Sequence, residues 1–162
     1  MVKAHYPKTP AIHFLNAKKI PFETYFYSYE DHGGTERAAN ELDLPEHAVL
    51  KTLIMETDEH HPFVVLMHGD REVSLKQLAR ELDVKRVSPC SMELAQKVTG
   101  YLVGGISPFG VRTPLPVYIE SSIFTLDKIY INGGKRGFLV GIAPQDLRKA
   151  FSVKEVTVAI QP

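Results

Sequence analysis

The stretch Gly100-Tyr101-Leu102-Val103-Gly104-Gly105-Ile106-Ser107-Pro108-Phe109-Gly110 carries four glycines in eleven residues. A short apolar run enters a Gly-Gly pair and leaves through Ser-Pro, which marks a shaped turn rather than a flexible linker. Glycine also lets a ligand come close to bare backbone amides. Just upstream, Ser91 caps Met92-Glu93-Leu94-Ala95-Gln96-Lys97-Val98, and Gly100 stands where a helix-stopping glycine belongs. The stretch therefore reads as a helix stop running into a short strand and a turn. A second glycine cluster, Asn132-Gly133-Gly134-Lys135-Arg136-Gly137, lies some thirty residues on. Two such clusters are either two tight β-turns or a pocket walled by backbone.

Working outward, Thr9-Pro10 opens a helix with Ala11, Ile12 and Leu15 at helical spacing, stopped by Ile20-Pro21. Phe22 to Tyr29 reads as an aromatic-rich strand, and Thr35 as the cap of a second helix over residues 36–43. Strands are expected at residues 50–55, 63–67, 85–88, 117–120 and 153–160. Ser74 with Gln77 forms a capping box for a helix whose Leu75, Leu78, Ala79 and Leu82 face inward. Residues 128–142 read as a hairpin with a long glycine-rich tip, and residues 145–151 as a last helix. Helices and strands mix without a regular βαβ rhythm. The expected class is α+β: a single compact domain over 1–162, with a mixed, barrel-like curved sheet flanked by helices and residues 1–8 as a tail.

In the strand Leu50-Lys51-Thr52-Leu53-Ile54-Met55, the lysine shares a face with Leu53 and Met55. Such a lysine either snorkels at an edge or points into a partly enclosed site. The 19 basic and 19 acidic residues balance, so bulk charge does not draw this chain to nucleic acid, and a nucleic-acid partner requires a local patch. Cys90 is the single cysteine, which excludes an intrachain disulfide and suits a reducing compartment. No apolar run approaches the roughly 20 residues that span a bilayer, and the N-terminal residues lack a signal-peptide core. A cytoplasmic protein is the expectation. His60-His61 beside acidic residues do not make a metal site, because adjacent loop side chains rarely converge on one ion. Neither a Walker loop nor a G-x-S-x-G elbow is present. The residues name no nucleophile. They suit a phosphate-bearing ligand with a carbonyl to polarise, or a binding site with no chemistry.

Thr9-Pro10-Ala11, Leu50-Lys51-Thr52-Leu53, the Thr99–Pro108 run, and Gly133-Gly134-Lys135-Arg136-Gly137 followed by Ala143-Pro144-Gln145-Asp146-Leu147 resemble the YbaK/EbsC family. These are bacterial aminoacyl-tRNA deacylases related to the editing domain inserted in prolyl-tRNA synthetase, and the nearest branch acts on Cys-tRNA(Pro). The resemblance runs from about Thr9 to the C-terminus. It implies a trans-editing enzyme that cleaves the ester of mischarged tRNA, by hydrolase or lyase-type chemistry, with no cofactor and no metal. It implies Lys51 as the catalytic residue. It implies Tyr29, Thr52, Gly104, Gly105, Ser107, Asn132 and Gly133 around the substrate, and Lys135 and Arg136 against the tRNA. The implied partners are the aminoacylated tRNA 3′ end and prolyl-tRNA synthetase.

Asn132 stands where relatives often have serine. Near Gly34 some Cys-specific relatives carry an aromatic residue, and Leu139 stands where some carry an acid. The expected attacking group is water placed by Thr52 or Ser107, or the thiol of a cysteinyl substrate. In both routes Lys51 would hold a phosphate or the oxyanion, and amides near Gly104–Ile106 would fix the ester. A deacylase for Ala-tRNA(Pro) or another small amino acid, and a non-catalytic module that grips a nucleotide or aminoacyl end, are the competing readings.

Overall fold

The computed structural model describes residues 5–162; residues 1–4 of the expected tail lie outside the described residues. Helix α1 spans Pro10–Ala17, and the Thr9 hydroxyl accepts the Ile12 amide at its start. Strand β1 is Glu23–Phe26, and α2 follows at Gly34–Leu42. Strands β2 (Leu50–Thr57), β3 (Pro62–His68) and β4 (Glu72–Val73) lead to α3 at Leu75–Leu82. Next come β5 (Val87–Pro89), α4 (Met92–Thr99) and β6 (Val117–Glu120). The hairpin β7 (Ile129–Lys135) and β8 (Phe138–Ile142), α5 (Leu147–Ala150), β9 (Lys154–Val156) and β10 (Ala159–Ile160) complete the chain. No described helix is long and apolar enough to cross a membrane.

The strands form three pieces rather than a closed barrel: the mixed sheet β5-β2-β3-β6-β9, the antiparallel sheet β1-β8-β7, and the antiparallel pair β10-β4. One isolated bridge, Val49 to Tyr130, links the two larger sheets where β2 begins. The α+β class with helix-flanked curved sheets thus holds, and barrel closure does not. Side-chain alternation in β2 separates two cores. Leu50 and Ile54 enter the main core with Ile12, Leu15, Phe109 and Ile131, and Met55 enters a second one with Phe63, Met67 and Leu78 beneath α3. A third, smaller core places Ala38 and Ala39 of α2 on Val49 and Leu139.

Five local expectations change. The aromatic strand ends at Phe26, because Tyr27 leaves the β8 ladder and donates its amide to Gly137 at the hairpin tip. Thr35 is not a cap: Gly33 holds that position, and the Thr35 hydroxyl donates to Glu46 at 2.8 Å or to the Gly69 carbonyl at 3.1 Å. The hairpin tip is short. Asn132 pairs with Leu139 and Lys135 with Phe138, so Gly133 and Gly134 form a bulge inside β7, not a long loop. The final strand is split because the buried Glu120 carboxylate accepts the amides of Val158 (2.7 Å) and Ala159 (3.0 Å), which draws that backbone out of the ladder. Of the expected 101–103 strand nothing remains; the segment is irregular.

Candidate active site

A cavity of about 650 Å³ opens between β2, the start of α2, the loop after α4 and the hairpin, a size suited to a small molecule or a nucleoside end. Its floor is the edge of β2. Strand β5 covers only Met55–Thr57 of that edge, so Lys51, Thr52 and Leu53 have β3 on one side and the cavity on the other.

Lys51 extends its ammonium to the Arg71 carbonyl at 2.7 Å. That carbonyl closes the turn His68–Arg71, itself bound by the Arg71 amide to the His68 carbonyl at 3.2 Å. The turn is clamped from several directions. Asp70 meets His47 Nδ1 at 2.7 Å and the Arg71 guanidinium at 3.0 Å. Burial alone would raise the Asp70 carboxyl, but the interaction with His47 and the Arg71 guanidinium outweigh it and hold it below its usual value. His47 stacks on His68 with ring centroids 3.7 Å apart. His68 is buried, with Nδ1 on the His47 carbonyl (2.8 Å) and Nε2 on Ser122 Oγ (2.7 Å). A carbonyl can only accept, so Nδ1 carries the proton and Nε2 accepts from Ser122 in the neutral ring. Burial pushes the His68 pKa down, which keeps the ring neutral. Lys51 keeps two further ammonium protons for a ligand.

Thr52 lies beside it on the same floor. Its hydroxyl is buried and has no hydrogen-bond partner in the protein. Such a group is costly to retain unless something else uses it.

The opposite wall is built by the two glycine clusters, which touch. Asn132 Oδ1 accepts the amides of Gly134 (2.7 Å) and Lys135 (3.2 Å), and its Nδ2 donates to the Gly104 carbonyl at 3.3 Å. Arg136 Nε donates to the Val103 carbonyl at 2.9 Å, and its guanidinium lies 5.0 Å from the centre of the Tyr29 ring. Tyr29 passes between them: a Cβ at Gly104 would fall 2.5 Å from the Tyr29 hydroxyl, and φ there is +93°. The glycine is thus required for contact with a tyrosine of the same chain, rather than for bare space over a ligand.

Of the sequence-derived residues, Tyr29, Lys51, Thr52, Gly104, Asn132 and Arg136 line the cavity. Four do not. Gly105 packs on the Lys135–Arg136 backbone. Ser107 is fully buried, accepting the Phe109 amide. Gly133 packs on Phe138, with its carbonyl taken by Thr9. Lys135 is exposed at the hairpin, outside the cavity. Sequence reasoning missed Thr35, Met92 and Val103 as lining residues, while Ile106 ends the Gly104–Ile106 segment expected beside the ester. Val103 and Ile106 flank the glycine pair and were within reach of the motif; Thr35 and Met92 arrive through tertiary packing and carry no local signal. Gly34 and Leu139, the two departures from Cys-specific relatives, both line the cavity. Cys90 does not: it lies against Glu56, and burial together with that carboxylate pushes its thiol up to about 11.

The aminoacyl-tRNA editing domain family model matches residues 30–150. A candidate Cys-tRNA(Pro)/Cys-tRNA(Cys) deacylase, EbsC of Enterococcus faecalis, is 30% identical over 139 residues, covering 85% of each chain. The proline–tRNA ligase of Limosilactobacillus reuteri is 28% identical over 105 residues, 62% of this chain but 18% of the ligase. The fold is shared with the crystal structure of a candidate trans-editing enzyme for prolyl tRNA synthetase, with a TM-score of 0.82 at 17% identity over 97% of this chain and 99% of that one. The chain belongs to the aminoacyl-tRNA editing domain family.

Proposed function

We propose that the chain removes cysteine from Cys-tRNA(Pro) in trans, with the aminoacyl ester held between the Lys51–Thr52 floor and the Gly104–Asn132 wall. The observation that carries the reading is the Lys51 ammonium at an open strand edge, with the unpartnered Thr52 hydroxyl just beneath the cavity surface. A fixed ammonium of this kind suits a carbonyl that becomes an oxyanion. The ammonium supplies charge, and the Thr52 hydroxyl, shielded from solvent, meets the ester by turning about its χ1. The turn that holds Lys51 fixes the ammonium in advance, which lowers the reorganisation needed in the transition state.

The cavity contains no cysteine and no serine among its described lining residues, and its carboxylates and imidazole (Glu30, Asp31, His32) lie exposed at the rim. This favours a nucleophile brought by substrate or solvent. In the thiol route the cysteinyl sulfur forms a bond to its own carbonyl carbon, the carbon–oxygen bond to the ribose breaks, and the thiol proton ends on the ribose oxygen. Water then opens the cyclic thioester, so the net reaction is ester hydrolysis. In the water route, the same donors hold the oxyanion for direct attack. Likeness to the E. faecalis protein supports the cysteinyl substrate, and likeness to the ligases supports prolyl-tRNA synthetase as the enzyme that hands over the tRNA.

The test is deacylation of a panel of mischarged tRNAs by the wild type and by Lys51→Ala. The expected result is turnover of Cys-tRNA(Pro) that Lys51→Ala abolishes while the melting curve is retained, and loss of turnover when serine replaces the substrate cysteine. Full activity of Lys51→Ala refutes the site. Faster turnover of Ala-tRNA(Pro) reassigns the substrate, and no turnover of any tRNA leaves a binding module.

A further inference from the structure

Charge around the cavity mouth is largely sorted by side, although Glu93 puts an exposed carboxylate on α4 one turn before Lys97. One rim, formed by residues 30–41 at the start of α2, carries Glu30, Asp31, Glu36 and Glu41; its one arginine, Arg37, is already engaged by Glu30 at 3.2 Å and Glu41 at 3.3 Å. The other rim runs from the hairpin tip across the loop after α4. Arg136 bonds the Val103 carbonyl, the Gly105 Cα faces the Lys135–Arg136 backbone, the Gly100 Cα faces the Arg112 side chain, and Lys97 sits in the last turn of α4 just before Gly100. Lys97, Arg112, Lys135 and Arg136 are all exposed, and none has a carboxylate within ion-pair distance among the described residues. Two large apolar side chains stand free on the same strip: Leu102, 62% exposed, and Met92, 63% exposed and at the cavity wall.

A strip of unpaired cations interleaved with exposed apolar side chains suits a nucleic-acid single strand, whose phosphates and unstacked base faces need both. A balanced net charge gives no bulk attraction, so the sorting of charge by side supplies the direction of approach. We propose that the single-stranded 3′ end of the tRNA crosses the α4–hairpin rim to reach the cavity. Lys97 and Arg112 meet its phosphates, the bases rest on Leu102 and Met92, and the acidic α2 rim repels entry from the other side. The strip is continuous with the cavity, so the same strand carries its terminal aminoacyl adenosine onto the Lys51 floor. This path rests on the deacylase reading above and adds residues and a direction to it.

The probe is an uncharged RNA minihelix with a single-stranded CCA end, followed by fluorescence anisotropy over a KCl series. Removing two phosphate contacts with K97E/R112E reduces the slope of log K against log salt by roughly 1.4–1.8 and weakens binding about 10-fold or more at low salt. Leu102→Ser weakens binding with the slope unchanged, because it removes stacking area and no charge. E30Q/E36Q binds as well as or better than the wild type. Wild-type affinity and slope in K97E/R112E overturn the path, as does a loss of binding in E30Q/E36Q. The measurement needs no turnover. Unaltered binding in K97E/R112E with an active wild type overturns the path alone, whereas binding through Lys97 and Arg112 by a chain that cleaves no aminoacyl-tRNA overturns the deacylase reading alone.

Discussion

Thr52→Val should move stability and activity in opposite directions. The Thr52 hydroxyl is buried without a partner in the protein. Retaining such a group costs about 1–3 kcal/mol relative to an apolar group of the same shape. Valine matches threonine in volume, is β-branched and suits strand β2. The exchange should therefore stabilise the protein by about 1 kcal/mol or more, which in a chain of this size raises Tm by roughly 2–4 °C per kcal/mol. If the hydroxyl meets the ester as the oxyanion forms, losing that contact costs about 1.5–3 kcal/mol in the transition state, roughly a 10- to 150-fold slower single turnover. Thr52→Ser keeps the hydroxyl and deletes a methyl, so it should show the reverse: about 1 kcal/mol less stable and near-normal in rate. Calorimetry and single-turnover deacylation of Cys-tRNA(Pro) read the two quantities. A lower Tm in Thr52→Val would mean that the hydroxyl is structurally satisfied, and an unchanged rate would remove it from the chemistry.

Gly104→Ala should lower stability by about 1–2 kcal/mol and raise KM, since its Cβ meets Tyr29 and its φ is +93°; Tyr29→Ala in the same chain should recover part of the stability, and no recovery would break the link between the two. Asn132→Ala should separate the glycine clusters and cost about 1–3 kcal/mol, measured by urea unfolding, with Asn132→Asp retaining the two accepted amides and losing only the bond to Gly104. His68 titrates below its ordinary value in the folded chain because it is buried. The unfolded chain then binds the extra proton first as pH falls below about 6.5, so stability is full above that value and declines toward the lower folded value. His68→Asn should flatten urea midpoints between pH 7 and 5.5, and an unaltered slope would assign the dependence to another group.

The elements that could be read from sequence are those whose causes are local. Thr9-Pro10 sets the start of α1, and Ser91 and Gly100 set both ends of α4, through their own side chains and φ angles, and the structure keeps them. Alternation in residues 50–55 placed Lys51 apart from Leu50 and Ile54. It could not say what the ammonium touches, because its partner is a backbone carbonyl twenty residues on. Thr35 looked like a cap since its residue type allows one; Glu46 and Gly69 compete for the same hydroxyl through tertiary contact. Ser74 kept half of its capping box: its hydroxyl accepts the Gln77 amide, while its own amide goes to Val158. The glycine motifs border the cavity, yet Gly105 and Gly133 serve the meeting of two loops rather than the cavity itself.

The segment common to the family, residues 30–150, is not a portable cassette in this chain. Helix α1 and strand β1 lie before it. Thr9 carries the Gly133 carbonyl, Ile12 and Leu15 are fully buried in the main core, and β1 forms the outer rail of the sheet holding the hairpin. Behind it, Val156 and Val158 seal the second core, and the Val158 and Ala159 amides take up the Glu120 carboxylate. Transplanting the common segment alone would move Lys51 and Thr52 intact while leaving the bulge that aims Asn132 without its brace. An engineer borrowing the activity would have to carry both flanks, or redesign the two surfaces they cover.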